Sequence, residues 1–213
     1  MNNEDLERIL DVLFTNPQQL PSLLQGMSKD VLEYCLQDVL IRYANDVNSS
    51  TLRELITIRK AGYKPQPART KLGYNGETPR GSPCEVKPVN IRSETGNKLN
   101  GGGNFSDFTH ERLARYQEDN VVMLVSGFFE GRLMYILEFP FSHFPFVERL
   151  RQQLLRYFTK KGRKPGQFLR SAQFSFKHYK DCPTLKIIYT NPSLPDYQEL
   201  FTRDLFQFLR GSK

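Results

Sequence analysis

The sequence predicts an α/β protein of the α+β kind: a central mixed β-sheet flanked by helices, behind a helical N-terminal region. Three observations predict it. Apolar residues recur at helical spacing through the first sixty positions. Two neighbouring runs, "VVMLVSGFF" and "RLMYILEFPF", are apolar and rich in β-branched and aromatic residues, as buried strands are. Strand-like and helical segments then alternate to the C-terminus, the pattern of helices laid over a sheet.

In chain order, "NEDLERILDVLF" places Leu6, Ile9, Leu10, Leu13 and Phe14 on one helical face. "SKDVLEYCLQDVLIRYA" repeats the pattern, with Ser28 at the N-cap. "SSTLRELITIRKAG" gives a third helix that closes near Gly62. Residues 63–84 carry four prolines and three glycines, which predicts loop and short strand, with "YNGE" as a hairpin turn. "CEVKPVNI" is a strand with Pro88 marking an edge or bend, and "RSETGNKLNGGGN" reads as a mobile loop. "SDFTHERLARYQEDN" is a helix started by Ser106 or Asp107. The two long strands pair around "FEGR", and "FVERLRQQLLRYF" is an amphipathic helix. "QFSFKHYK" and "LKIIYT" are strands, and "DYQELFTRDLFQFLR" is a closing helix. The chain divides into a helical region, 1–62, and a main body, 63–213.

The 213 residues suffice for one sizeable domain. No apolar stretch reaches about 18 residues, so no membrane span is expected. The acidic N-terminus lacks a signal-peptide layout. Cys35, Cys84 and Cys182 are odd in number and far apart, which points to reduced thiols in the cytoplasm and away from a zinc site or disulfide frame. No GxxxxGK[ST] loop is present, so no nucleotide cofactor is expected. His178-Tyr179-Lys180 has an HxK spacing, but Leu185 stands where a phospholipase-D-type site would need an acid.

Charge narrows the partner. The net charge is +7, yet residues 1–56 carry nine acids against four Lys/Arg, a net of −5, which leaves +12 on the rest. A basic body suits a polyanion, most often nucleic acid. From Arg149 to Lys180 there are ten Lys/Arg and no acid. Within that stretch Lys160, Lys161, Arg163, Lys164 and Arg170 offer donors for phosphates or guanine edges. Arg92, Lys98, Asn100 and Asn104, in the glycine-rich segment, form a second candidate set that could read bases while glycines let backbone approach DNA.

Glu85-Val86-Lys87 is the chain's one acid-x-lysine triplet. On a strand, residues i and i+2 share a face, so a carboxylate and an ammonium stand side by side. Metal-assisted phosphodiester cleavage needs carboxylates for Mg²⁺ and a cation near the attacking water. An ordinary same-face ion pair uses the same two residues, and the triplet alone leaves that alternative open.

In this setting the triplet resembles the (D/E)xK motif of the PD-(D/E)XK nuclease superfamily, which includes many type II restriction endonucleases. There the triplet lies on a central strand, an acid precedes it, and a helix and a further strand follow. The resemblance runs over roughly residues 50–140 in element order. It implies that Glu85 binds metal and that Lys87 lies near the attacking water. The preceding acid should be an aspartate after a proline, but no aspartate lies between Asp46 and Asp107. Glu77, the lone acid between Glu54 and Glu85, is the substitute, and Glu54 matches a glutamate that some members supply from the preceding helix. The expectation is therefore a Mg²⁺-dependent, site-specific endonuclease for double-stranded DNA that leaves 5′-phosphates. Such enzymes often act as homodimers on palindromes, with the acidic helical region as a dimerisation or support element. The alternatives are a non-catalytic DNA-binding or regulatory protein and a structure-specific repair nuclease.

Overall fold

The computed structural model describes residues 17–45, 50–66, 73–159 and 167–211, together with positions 5, 6, 8, 9 and 12. The architecture is α+β, as the sequence predicts. A six-stranded sheet runs in the order β1 (Lys64–Pro65), β2 (Gly76–Glu77), β3 (Pro83–Ile91), β5 (Val122–Phe129), β6 (Arg132–Pro140) and β8 (Lys186–Thr190). Only β3 and β5 are parallel; the other neighbours are antiparallel. A separate two-stranded ribbon pairs β4 (Gly103–Phe108) with β7 (Leu169–Phe174).

Both faces of the sheet are covered, which is why its central strands are apolar on both sides. On one face lies the helix Thr51–Lys60 (α3), where Ile58 packs with Cys84, Val86, Leu124 and Ile136. The polar exception there is Ser126, fully buried and 2.7 Å from Thr57 Oγ1, which also donates to Arg53 O. The other face carries the larger core. There the ribbon, α4 (His110–Glu118), α5 (Phe144–Phe158) and α6 (Arg203–Gly211) cover Met123, Val125 and Leu137 with aromatics such as Phe105, Phe146 and Phe174.

Several expected elements stand where the sequence puts them. The β5–β6 hairpin turns at Glu130 and Gly131, both at positive φ, the geometry a two-residue turn of this hand requires. The expected helix Lys29–Asn45 (α2) precedes α3, with Val31 N reaching Ser28 Oγ at 3.4 Å, and a short helix that the sequence did not lead us to expect, Leu20–Gln25 (α1), stands before it. The stretch expected as the first helix falls largely outside the described residues.

Other elements differ. Ser106 and Asp107 belong to β4, and Thr109 caps α4 by accepting from Arg112 N. The strand expected at "QFSFKHYK" lies earlier, at Leu169–Phe174, and Phe176–His178 is a 3-10 turn. The closing helix is split: a 3-10 stretch, Leu194–Leu200, ends at extended Phe201, which bridges to Leu99 before α6 begins. That bridge also pins the end of the expected mobile loop. Leu99 is fully buried, donates to Leu200 O and accepts from Thr202 N. Among the described residues no helix is long and apolar enough to cross a membrane.

Candidate active site

Alternation along β3 builds the site. Cys84 and Val86 enter the α3-side core, so Glu85 and Lys87 face the opposite side. Strand β2 pairs with β3 only through Cys84 and Pro83, and the pairing then stops. Asn75, just before β2, takes over with its side chain: Oδ1 accepts from Val86 N at 2.8 Å. Beyond that point no strand pairs with this edge of β3 among the described residues, and Pro88, which has no N–H to leave unpaired, sits along it. A cleft of about 480 Å³ opens here. Its lining includes Glu54 and Ser50 from the start of α3, Asn75, Glu85 and Lys87, Asn104 and Ser106 from β4, and Arg112 from α4.

Glu85, with a side chain only 5% exposed, is held by two cations. Lys87 Nζ lies 2.6 Å from its Oε1, and Arg112 Nη2 lies 3.4 Å from the same oxygen. Arg112 is fixed in turn by Ser106 O at 2.8 Å and by Tyr116 Oη at 2.8 Å. Lys87 also stands 4.5 Å over the Phe105 ring, a cation–π contact that holds its stem in place. Gly103 makes room for this, because a Cβ there would lie 2.8 Å from Lys87 Cβ. The buried phenol of Tyr116 is pushed well above its ordinary pKa, first by burial and then by the Glu85 charge, so it stays protonated.

Glu54 is buried on α3 and receives hydrogen bonds from Ser50 Oγ at 2.7 Å and Asn75 Nδ2 at 2.9 Å. Asn75 therefore links the Glu54 carboxylate to the backbone beside Glu85. The cleft holds two carboxylates and two cations, with a carboxamide between the carboxylates.

Of the expected catalytic and metal residues, Glu54, Glu85 and Lys87 come together in the cleft. Glu77 does not line it: the residue pairs with Pro83, and its carboxylate turns toward Gly81, within 3.5 Å of where a Cβ would be. Asn75, which extending the register carries opposite Glu85, lines the cleft in place of the expected Glu77. Neither Asn75 nor Arg112 was anticipated; "YNGE" is no turn, since Gly76 and Glu77 are strand. Among the described residues no group of three or more His, Cys, Asp and Glu could hold a metal ion, so the expected trio of Glu54, Glu77 and Glu85 is not assembled.

The expected DNA-contacting residues scatter. Asn104 lines the cleft and Arg170 is exposed on β7. Arg92 ties the far end of β3 to α2 through Asn45 O at 2.7 Å and meets Glu94 at 3.5 Å. Lys98 borders a different pocket with Arg203, and the Asn100 side chain is bonded to Gly102 N. Lys160, Lys161, Arg163 and Lys164 lie outside the described residues. No protein-family model and no curated protein matches the chain.

Proposed function

We propose that the protein is a Mg²⁺-dependent, site-specific endonuclease for double-stranded DNA, of the type II restriction kind within the PD-(D/E)XK superfamily. The observation that carries this reading is the convergence of Glu54 from α3 with Glu85 and Lys87 from β3 on one cleft beside Arg112. The order α3, antiparallel β1–β2–β3, α4 and parallel β5, with β4 set between β3 and α4, agrees with a motif strand preceded by a helix and followed by a helix and strand.

The donor set suits Mg²⁺, which is commonly bound by one or two carboxylates, water and substrate phosphate rather than by an all-protein cage. Glu85 and Glu54 would hold it, and when bound it would supply Lewis-acid polarisation of a phosphate oxygen. Lys87 orients a water molecule toward phosphorus. Arg112 offsets negative charge on the phosphate once the substrate competes with Glu85 for its guanidinium. Water adds across the P–O3′ bond, giving a 5′-phosphate and a 3′-hydroxyl.

Two further features support the setting. The described cysteines Cys35, Cys84 and Cys182 are free thiols, as in a reducing cytoplasm. Leu36, Leu40 and Tyr43 form an exposed apolar stripe on α2 at helical spacing, suited to a homodimer contact on a palindromic site. A non-catalytic DNA-binding role is the second reading. It is favoured by Glu85 being already paired with Lys87 and Arg112.

Digestion of a long, methylation-free plasmid by wild type and Lys87→Ala, each with and without Mg²⁺, separates the two. Discrete fragments from wild type alone, and only with Mg²⁺, are the expected result. Intact DNA in every lane, with a gel shift that survives Lys87→Ala, replaces the nuclease with a binding protein. Cutting restricted to branched oligonucleotides points to a repair nuclease.

A further inference from the structure

The β4–β7 ribbon has one face in the core and one in solvent, and its register fixes which residues share each. Phe105 pairs with Ala172 and Gly103 with Phe174, and Phe105, Ala172 and Phe174 are buried. The outward pairs are therefore Asn104 with Gln173 and Ser106 with Ser171. Near the end of β4 the alternation changes phase. Asp107 has a φ of 51°, so Phe108 turns inward, and Arg170 on the partner strand is left exposed.

This outward face is chemically unusual for its setting. A quarter of the chain is charged, yet both outward cross-strand pairs are neutral carboxamides or hydroxyls. Each such group both donates and accepts, and it loses less on desolvation than an ion would. The ribbon edge is not offered for strand addition at Gln173. There Gln153 Oε1 accepts from the Gln173 N–H at 2.9 Å, Gln153 Nε2 donates to its carbonyl at 2.8 Å, and Arg149 Nε donates to the same carbonyl. What the ribbon presents is side chains.

Its position gives those side chains a use. Asn104 and Ser106 line the same cleft as Glu85 and Lys87, so whatever touches this face also reaches the cluster. In sequence, the basic run from Lys160 to Lys164 ends four residues before β7. Paired strands lie about 4.8 Å apart, and a two-stranded ribbon with its side chains fits the roughly 12 Å major groove of B-form DNA. Asn and Gln match the adenine N6/N7 edge, Ser accepts from or donates to either partner, and Arg matches guanine O6/N7. The deep, narrow major groove of A-form RNA admits no such ribbon.

We infer that the outward face of the β4–β7 ribbon reads base pairs in the DNA major groove, with Asn104 and Gln173 as the central specificity residues and Arg170 at its end. The inference rests on the duplex-nuclease reading above, which it deepens from phosphodiester chemistry to sequence choice.

The test is cleavage of a randomised duplex DNA pool with Mg²⁺, with the cut ends sequenced, for wild type, Asn104→Ala, Gln173→Ala and Arg170→Ala. All three side chains are exposed, and an unchanged melting temperature verifies the fold of each variant. A wild-type preference that relaxes at one or two base pairs in each variant, by on the order of tenfold or more in discrimination, supports the inference. Wild-type cutting at defined sites that all three variants reproduce overturns it and leaves the nuclease reading standing. Wild-type cutting without base preference overturns it together with the site-specific part of the nuclease reading, and leaves the phosphodiester chemistry standing. Failure of wild type to cut duplex DNA, or equal cutting of duplex RNA, overturns both.

Discussion

Two carboxylates on the same sheet, Glu85 on β3 and Glu138 on β6, are each paired with a lysine and a second polar partner. Glu138 is met by Lys186 Nζ at 3.0 Å and by the hydroxyl of Tyr63. Glu85 is met by Lys87 at 2.6 Å and by Arg112. The difference lies in what surrounds them. Lys186 is 63% exposed, whereas Lys87 is 16% exposed and lines a cleft with a second carboxylate and a second cation. An ion pair of the first kind costs little to make and does little. A charged cluster kept from water while open to one cleft is the arrangement that binding or catalysis uses.

The largest expected effect separates the two lysines. Lys87→Ala should lower Mg²⁺-dependent plasmid cleavage by about 10² to 10⁴-fold, the range for a group that assists proton transfer or orients the nucleophile. Lys186→Ala should leave the rate unchanged. Initial rates of supercoiled-plasmid loss measure both, and equal rates for the two variants would erase the distinction between the pairs.

Next in size is a substitution that tests the cleft's missing acid. In Asn75→Asp, the donor to Glu54 Oε2 becomes a carboxylate facing a carboxylate. Without Mg²⁺ the lost hydrogen bond and like charges should destabilise the fold by about 1–3 kcal/mol. With Mg²⁺ a third carboxylate should restore it, so the melting temperature should rise more steeply with Mg²⁺ than in wild type. Thermal melts over a Mg²⁺ series provide the measurement. A variant no more responsive than wild type argues against metal at this cleft.

Beside Glu85 on β3 lies Cys84, fully buried. Its thiol is pushed up to about 12 by burial first, then by the charges of Glu85 and Glu138. A raised folded-state pKa favours the protonated native form. Its contribution is therefore complete below the unfolded value of 9.0 and is lost as pH rises from there through about 12. Comparing denaturant melts of wild type and Cys84→Ala at pH 8 and pH 10 isolates this part, because Tyr63, whose hydroxyl the Cys84 charge helps to push up only last among its causes, is held protonated mainly by burial and Glu138 in both. Wild type should lose on the order of 1 kcal/mol more than the variant over that interval. Equal losses would mean the thiol ionises freely in the native state.

What the sequence disclosed of this site follows the range of the interactions. Glu85 and Lys87 share a face because of strand period alone, and the Glu130–Gly131 hairpin follows from local turn chemistry. Asn75 was hidden because its role comes from partners 21 and 11 positions away, Glu54 and Val86, while its own neighbours imitate a turn. Arg112 meets Glu85 across 27 positions and only once β4 has folded back beside β3. Strand β7 was misplaced because alternating aromatics in "QFSFKHYK" imitate a strand, whereas Phe176 is buried from a 3-10 turn. Glycine-rich composition suggests mobility at 92–104, but distant partners fix the end of that segment: Leu99 bridges to Phe201, Asn100 O accepts from Phe176 N, and Gly101 O accepts from the Tyr179 hydroxyl.

The smallest effect belongs to the Glu138 pair itself. Lys186→Ala removes an exposed partner, so its cost should stay below about 1 kcal/mol and shrink further in high salt. Tyr63→Phe should cost more, about 1–3 kcal/mol, because Glu138 is only 14% exposed and would lose a partner that water cannot easily replace. The Tyr63 hydroxyl is pushed above its usual pKa by burial and by its bond to Glu138, so it remains a donor across the neutral range. Chemical denaturation of both variants at two salt concentrations measures the order. If Lys186→Ala proves the costlier change and insensitive to salt, the Glu138 pair is as shielded as the one at Glu85. Burial of charge would then no longer distinguish the cleft, and its claim to function would rest on the second carboxylate and Arg112 alone.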